Sequence, residues 1–269
     1  MNILSFTTTT STMSAAVSVN GRTVGEYTTF LKQTHSQRLM PAIDSLLKET
    51  GVKAGDLDAI AAAKGPGSYT GVRIAVTTAK TLAWSLQIPV YGISSLHLLA
   101  EQAKLFSGWI VPFIDARRDH VYTGIYYAEN GVCQRMEADG VLDVPAWIEK
   151  LQTLEGPVLL IGEEADKHKE RITGACPEVQ FASAEQSVPR ASSLAAIAEQ
   201  HEDLAVHAHE LVPEYAQLAE AEKKWLEAGA AAGHDKQTDN GPPHDGRRRG
   251  RRVQSRSGCF FCALDERSV

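Results

Sequence analysis

The sequence predicts an α/β protein made of two tandem units, each with a mixed sheet flanked by helices. Two observations support this prediction. An Asn-Gly pair follows a strand-like stretch in each half of the chain, at Asn20-Gly21 and at Asn130-Gly131. Such pairs favour the tight turns of β-hairpins, because both turn positions take positive φ. After each hairpin signal, helical and strand-like patterns alternate. We interpret the chain as a repeat of architecture; the alternative is one irregular α/β domain.

The first unit is predicted to contain a strand meander and then alternating helices and strands. Strands are indicated by β-branched residues and alternation, and helices by apolar residues at every third or fourth position. In chain order, the predicted elements are strands Ile3–Thr10, Ser14–Val19 and Thr23–Phe30, a helix containing Leu39, Ile43, Leu46 and Leu47 that ends at Gly51, strand Ala59–Ala63, helix Thr70–Leu86, strand Val90–Ile93 and a helix capped by Ser94-Ser95.

The second unit is predicted to begin in the same way. Its alternation is interrupted by a polar stretch, which we interpret as a turn. The predicted elements are strand Trp109–Ile114, the turn Asp115–Arg118, strand His120–Tyr127, a further strand through Ala138, helix Val144–Leu151, strand Val158–Ile161, and helices Glu164–Ile172 and Ala191–Glu199.

Composition excludes several classes of protein. The 269 residues are 43% apolar and 22% charged, with a net charge of −6 and four cysteines. No apolar run approaches the roughly 20 residues of a membrane span, and four cysteines do not make a disulfide framework. Residues 1–6 lack the basic and apolar regions of a signal peptide, so we expect a cytoplasmic protein without membrane contact. The negative net charge of the chain does not indicate a protein that binds nucleic acid through its overall charge.

The net charge averages two unlike segments. Residues 229–269 hold eight basic and five acidic residues, a charge of +3, whereas residues 1–228 carry −9. The later segment also contains Gly241-Pro242-Pro243 and little apolar periodicity, so we predict a disordered basic tail. Its arginine cluster, Arg247–Arg252, could contact RNA phosphates, but such clusters are usually only solvated. Its lone pair Cys259 and Cys262 is a weak zinc or redox signal.

A glycine-rich stretch, Lys64–Ile74, joins a predicted strand to a predicted helix. Glycine backbone and helix N-terminal amides can hold an anion, but no Gly-Lys-Ser/Thr follows Gly65, so this is not a Walker A loop. We favour a tight turn with Ser68 or Thr70 as the N-cap of the helix, over a phosphate site.

The helix after this loop carries a ridge of small residues at every fourth position, Gly71, Ala75, Ala79 and Ala83. Such a ridge allows a close approach by another helix, and apolar residues on more than one face indicate burial on more than one side. Burial between the protein's own layers and burial against a partner protein both fit this pattern.

No catalytic or metal-binding set is apparent in the sequence. A second histidine one helical turn after His35 would be needed for a zinc pair, but that position is Leu39. There is also no Gly-x-Ser-x-Gly nucleophile motif.

Several motifs taken together resemble the TsaB (YeaZ) family, over residues 1 to about 228. The motifs are His35-Ser36-x-Arg38-x-Met40-Pro41, Lys64-Gly65-Pro66-Gly67-Ser68-Tyr69-Thr70-Gly71-Val72-Arg73-Ile74, Leu82-Ala83-Trp84-Ser85-Leu86, Ile93-Ser94-Ser95-Leu96, Asp115-Ala116-Arg117-Arg118, Val212-Pro213-Glu214-Tyr215 and Leu218–Trp225. In this resemblance the family motif loop is represented by Gly65, Pro66, Gly67, Ser68, Thr70 and Arg73.

The resemblance implies an actin-like ATPase (RNase H-type) fold with two duplicated subdomains. We place these at residues 1–104 and 105–228; the tail at 229–269 has no counterpart in the family. The implied function is that of a non-catalytic scaffold subunit, without metal or cofactor, that binds and stabilises a TsaD-type transferase. That transferase forms N6-threonylcarbamoyladenosine at position 37 of tRNAs reading codons that begin with A. A TsaE-type ATPase completes the complex, so contact with tRNA is indirect.

The resemblance also implies an interface. In the family the first two helices pack against TsaD, and similar surfaces form homodimers. Carried over, this assigns the interface to Leu39, Met40, Ile43, Leu47, Gly71, Ala75 and Ala79.

One departure from the family concerns Thr7. Members usually begin Ile-Asp-Thr-Ser, whereas this chain has Phe6-Thr7-Thr8-Thr9. Loss of that carboxylate removes an anchor for hydrated Mg²⁺, which disfavours ATP use. The alternative function is an actin-fold ATP-binding enzyme or a metallopeptidase-like protein.

Overall fold

Two mixed β-sheets form the framework of the part of the chain that the structure describes. The structure, a computed structural model, describes residues 1–31 and 35–215. The predicted tail, with Cys259, Cys262 and Arg247–Arg252, lies outside the described residues, as does the motif Leu218–Trp225.

The first sheet begins with an antiparallel meander of β1 (Asn2–Thr7), β2 (Met13–Val19) and β3 (Arg22–Thr29). Strand β4 (Ala59–Gly65) then pairs in parallel with β1, and β5 (Val90–Ser94) pairs in parallel with β4.

The second sheet repeats this arrangement. Its meander consists of β6 (Gly108–Arg117), β7 (His120–Glu129) and β8 (Val132–Asp143), and the parallel strands are β9 (Val158–Ile161) and β10 (Gln180–Phe181). The spatial orders β5-β4-β1-β2-β3 and β10-β9-β6-β7-β8 correspond strand for strand. The predicted repeat of architecture is therefore confirmed. Both Asn-Gly pairs lie in hairpin turns, with φ of 50° and 77° in the first and 54° and 77° in the second.

In the described parts of the chain, six helices cover the faces of the two sheets. They are α1 (His35–Thr50), α2 (Tyr69–Leu86), α3 (Ser95–Gln102), α4 (Val144–Gln152), α5 (Lys169–Ala175) and α6 (Ala191–Gln200). Helices α1 and α2 share one apolar core with the first sheet, whereas α6 packs in a second core on the opposite face of that sheet. Helices α4 and α5 cover one face of the second sheet. Helix α3 contributes Leu98 to a core of the first sheet, and Leu96 and Leu99 to a core of the second. None of the helices in the described ranges is long and apolar enough to cross a membrane.

Some predicted boundaries are wrong. Strand β1 ends at Thr7 rather than Thr10, since the chain leaves the sheet there to approach the β4–α2 loop. The predicted turn at Asp115–Arg118 starts too early, because β6 continues to Arg117 and the positive φ angles fall at Arg117, Arg118 and Asp119. The predicted helix Glu164–Ile172 is a 3₁₀ turn at Ala165–Lys167 followed by α5.

The end of the described chain returns to the first sheet. Helix α6 packs on that sheet, and β11 (Ala205–Val206) pairs antiparallel with β5 at its edge. By their position in the sequence, both elements belong to the predicted subdomain 105–228, but in the fold they pack on the first sheet. The sequence did not indicate this packing, because contacts between residues far apart in the chain leave no local pattern.

Candidate functional site

The loop between β4 and α2 lies against the segment that follows β1. The backbone N–H of Ser68 donates to the carbonyl of Thr9 at 2.7 Å, and the Ser68 side chain accepts from the N–H of Gly71 at 3.4 Å. Ser68 is thus the N-cap of α2, and Thr70, the other residue that the sequence offered for this role, lies inside the helix.

Two glycines of this loop allow the close approach. A side chain at Gly67, whose φ is +155°, would overlap the carbonyl of Thr9, and one at Gly71 would overlap the carbonyl of Thr8. The glycines therefore allow two backbone segments to come into contact, which agrees with the predicted tight turn.

The hydroxyl groups after β1 are satisfied within the protein. Thr8 Oγ1 donates to the Gly71 carbonyl at 2.7 Å, and Thr7 Oγ1 lies 3.1 Å from Thr9 Oγ1. Ser95 Oγ, at the start of α3, donates to Thr9 Oγ1 at 2.9 Å. All of these side chains are buried. Thr7, where the resemblance implies a carboxylate, is therefore part of an internal hydroxyl cluster.

Two carboxylates connect the sheets, and neither was recognised from the sequence. Glu163, just after β9, accepts from Ser11 Oγ at 2.8 Å and from the Thr12 hydroxyl. Asp139, on β8, accepts from the Ser94 hydroxyl and, at 2.8 Å, from Tyr126. Burial raises the pKa of Asp139 above its ordinary value. The members of each set are far apart in the chain, so no local spacing could have indicated them.

The motif Val212–Tyr215 lies beside the motif loop. The N–H of Glu214 donates to the Lys64 carbonyl at 2.8 Å, and the side chains of these two residues form an ion pair at 3.2 Å. The ring of Tyr215 stacks on Tyr69 at 5.0 Å, while Arg73 donates to the Tyr69 hydroxyl at 2.9 Å. Two motifs that the sequence separates by about 140 residues thus form one local surface.

A groove of about 440 Å³ runs between α1 and α2 beside this surface. Met40 and Tyr69 are both 46% exposed at the groove, where Ser36, Arg73 and Thr77 are also exposed and Leu39 is buried. The groove is lined by Ser36, Leu39, Met40, Tyr69, Thr70, Arg73, Ile74, Thr77 and Thr78.

The predicted interface residues divide into two groups. Leu39 and Ile43 are only 1% and 2% exposed, Ala75 and Ala79 are 0% exposed, and Gly71 is buried. Ala75 and Ala79 of the small-residue ridge therefore pack in the core of the first sheet, and the assignment of the ridge to a partner interface stays a prediction. Met40 is exposed and Leu47 is half-buried. That the two helices bind a partner stays a prediction.

Residues that could bind metal are dispersed. Within residues 1–31 and 35–215, no group of three or more His, Cys, Asp or Glu side chains is placed to hold a metal ion. His35 instead lies with Nε2 3.1 Å from the carbonyl oxygen of Thr10.

Comparison with known proteins gives consistent matches. The sequence profile of the family described as "TsaD: tRNA N6-adenosine threonylcarbamoyltransferase" matches residues 25–237. The chain is 44% identical over 229 residues to the tRNA threonylcarbamoyladenosine biosynthesis protein TsaB of Bacillus subtilis, covering 85% of this chain and 99% of the relative. It is 34% identical over 165 residues to TsaB of Escherichia coli, covering 60% of this chain and 71% of that relative. The solved structure of YeaZ from Pseudomonas aeruginosa superposes with a TM-score of 0.68 at 31% identity, covering 80% of this chain and 99% of that one.

Proposed function

Since this chain belongs to the TsaB family of tRNA threonylcarbamoyladenosine biosynthesis proteins, we propose that it is a non-catalytic subunit that binds and stabilises a TsaD-type transferase. The transferase forms N6-threonylcarbamoyladenosine at position 37 of tRNAs that read codons beginning with A. The α1–α2 groove supports this proposal most directly.

The groove has the features of a protein-binding surface. Exposed Met40 and Tyr69 offer a flexible apolar and an aromatic contact, side-chain types that are enriched at interfaces. Arg73, held by Tyr69, adds a positioned cation at the rim. Beneath them, buried Leu39 and Ala75 join both helices to the core of the first sheet. The contact surface is therefore supported by a rigid layer, so that little order has to be gained on binding.

The polar groups near the end of β1 support a structural role. The hydroxyls of Thr7, Thr8 and Thr9 are buried and hydrogen-bonded inside the protein. Glu163 engages the neighbouring Ser11 and Thr12. A hydroxyl held in this way is not available to a nucleotide phosphate unless the internal bonds break.

We extend the proposal to the rest of the assembly. A TsaE-type ATPase joins through the complex, tRNA is contacted indirectly, and the same groove serves a homodimer. The protein acts in the cytoplasm and needs no cofactor of its own.

The proposal is tested with Thr77→Arg, which places a bulky cation in the groove at an exposed position. We expect loss of co-elution with a TsaD-type protein in gel filtration, and reduced tRNA modification when the purified components are combined. The control is Thr173→Arg, the same change at an exposed position of α5 on the second sheet. Thr173→Arg should bind normally.

Both variants must show the wild-type melting transition. If folded Thr77→Arg binds as the wild type does, the groove is not the interface. If the wild-type protein fails to increase tRNA modification by the transferase, the scaffold role is wrong.

A further inference from the structure

A β-bulge in β8 lies beside a cavity between the second sheet and α4. Thr123 pairs with Gly140, whereas Ile125 pairs with Glu137. Ala138 and Asp139 together therefore oppose the single residue Gly124, which is the arrangement of a bulge. The bulge directs Asp139 to Ser94 and Tyr126 on the α3 side of the sheet.

Gly140 faces the opposite side, toward α4. It lies two residues before Leu142, which packs in the core formed with α4, and residues two apart on a strand share a face. A Cβ atom at Gly140 would meet no atom within 4 Å. The missing side chain thus leaves open space between the sheet and α4.

This space is a cavity of about 140 Å³. Its lining is mainly apolar, and Val111, Trp147 and Leu151 are almost completely buried there. An apolar cavity of this volume holds a benzene-sized molecule. The side chains of Glu137 and Lys150, which also line it, form an ion pair at 2.7 Å. Because these charges are paired with each other, they do not favour an ionic ligand.

We propose that this cavity is a binding site for an uncharged molecule the size of a single ring. The ligand packs against Trp147 and occupies the space that a side chain at position 140 would fill. It then lies directly behind the bulge that carries Asp139, the carboxylate that connects the second sheet to Ser94. The proposal concerns a different face of the protein from the α1–α2 groove and does not depend on the groove's function.

Benzene is the probe for the test, used with the full-length protein. The indole N–H of Trp147 has no hydrogen-bond partner among the described residues, and its NMR signal, identified by its loss in Trp147→Phe, reports on the cavity wall. We expect a saturable shift of this signal and a higher melting temperature with benzene.

Gly140→Val fills the cavity and should weaken benzene binding by about tenfold or more, as expected for an overpacked site. Gly140→Ala, a smaller change that preserves the fold more readily, should weaken it less. The control Gln134→Val alters an exposed residue of the same strand that does not line the cavity and should bind as the wild type does. The proposal is overturned if wild-type protein shows no saturable shift, or if folded Gly140→Val and Gly140→Ala both bind benzene as tightly as wild type.

Discussion

The carboxylate of Asp139 on β8 accepts a hydrogen bond from the hydroxyl of Ser94, the residue that caps α3. Ser94 Oγ also accepts from the N–H groups of Leu96, at 3.0 Å, and His97, at 3.3 Å. The side chain of Ser94 therefore caps α3 and also connects the two sheets. Because both partners are largely buried, this contact contributes to stability more than a surface hydrogen bond would.

Ser94→Ala should lower the free energy of unfolding by about 2–3 kcal/mol, since it removes a helix cap and a hydrogen bond to a carboxylate. Urea denaturation measures the change. Ser85→Ala, at an exposed position near the end of α2, should be almost neutral. Equal stability of the two variants would contradict the structural role of Ser94.

Glu163→Ala should loosen the contact between the β1–β2 turn and the second sheet. It removes the acceptor for Ser11 and Thr12, at a cost of about 1–2 kcal/mol because the site is partly exposed. Amide hydrogen exchange should become faster at residues 10–12. The matched variant Glu170→Ala, exposed on α5, should leave that exchange unchanged; a similar response in both would argue against a specific link.

Gly71→Ala should destabilise the protein by more than about 2 kcal/mol, because the new methyl group overlaps the backbone carbonyl of Thr8. The control is Gly55→Ala, where a Cβ atom meets nothing within 4 Å. Its stability should change by less than about 1 kcal/mol. Thermal melts of both variants test the close backbone approach, which would be refuted by a Gly71→Ala protein as stable as Gly55→Ala.

His97 should make the protein less stable in acid. Burial, with smaller contributions from His201 and Arg135, lowers the pKa of His97 to about 4. An unfolded histidine takes up a proton near pH 6.5, so the unfolded state binds more protons between pH 6.5 and 4. The free energy of unfolding therefore falls as the pH falls through this window, by roughly 3 kcal/mol at most.

The measurement for His97 is a set of urea midpoints from pH 7.5 to 4.5. His97→Gln should show a smaller decrease than wild type across this range, because the group that titrates is gone. His209→Gln, in an exposed loop, should follow the wild type. If wild type and His97→Gln have parallel profiles, His97 is not the source of the acid sensitivity.

Local sequence patterns predicted the structure correctly where a feature depends only on residues close together in the chain. The Asn-Gly turns, the cap at Ser94 and helix α2 were predicted correctly because each depends on backbone conformation within a few residues. The repeated order of elements along the chain also followed from these signals. The motifs additionally identified the family, since their residues are specific when taken together.

The small-residue ridge shows where a pattern is insufficient. Spacing of Gly71, Ala75 and Ala79 indicates a face that packs closely, but it does not say what lies opposite. In the structure the first sheet lies there, and the exposed residues of the groove, Met40 and Tyr69, come from two different helices. The periodicity of a helix indicates that one of its faces is buried. Which element covers that face depends on contacts between residues far apart in the chain.

By itself, the sequence determined the α/β class, the duplicated order of elements and the family, because periodicity, turn residues and motif composition are local. Only the tertiary structure decided that α6 and β11 return to the first sheet, that Tyr215 stacks on Tyr69, and that Glu163 and Asp139 join the two sheets. These contacts depend on burial and geometry between residues far apart in the chain, and no spacing along the chain encodes them.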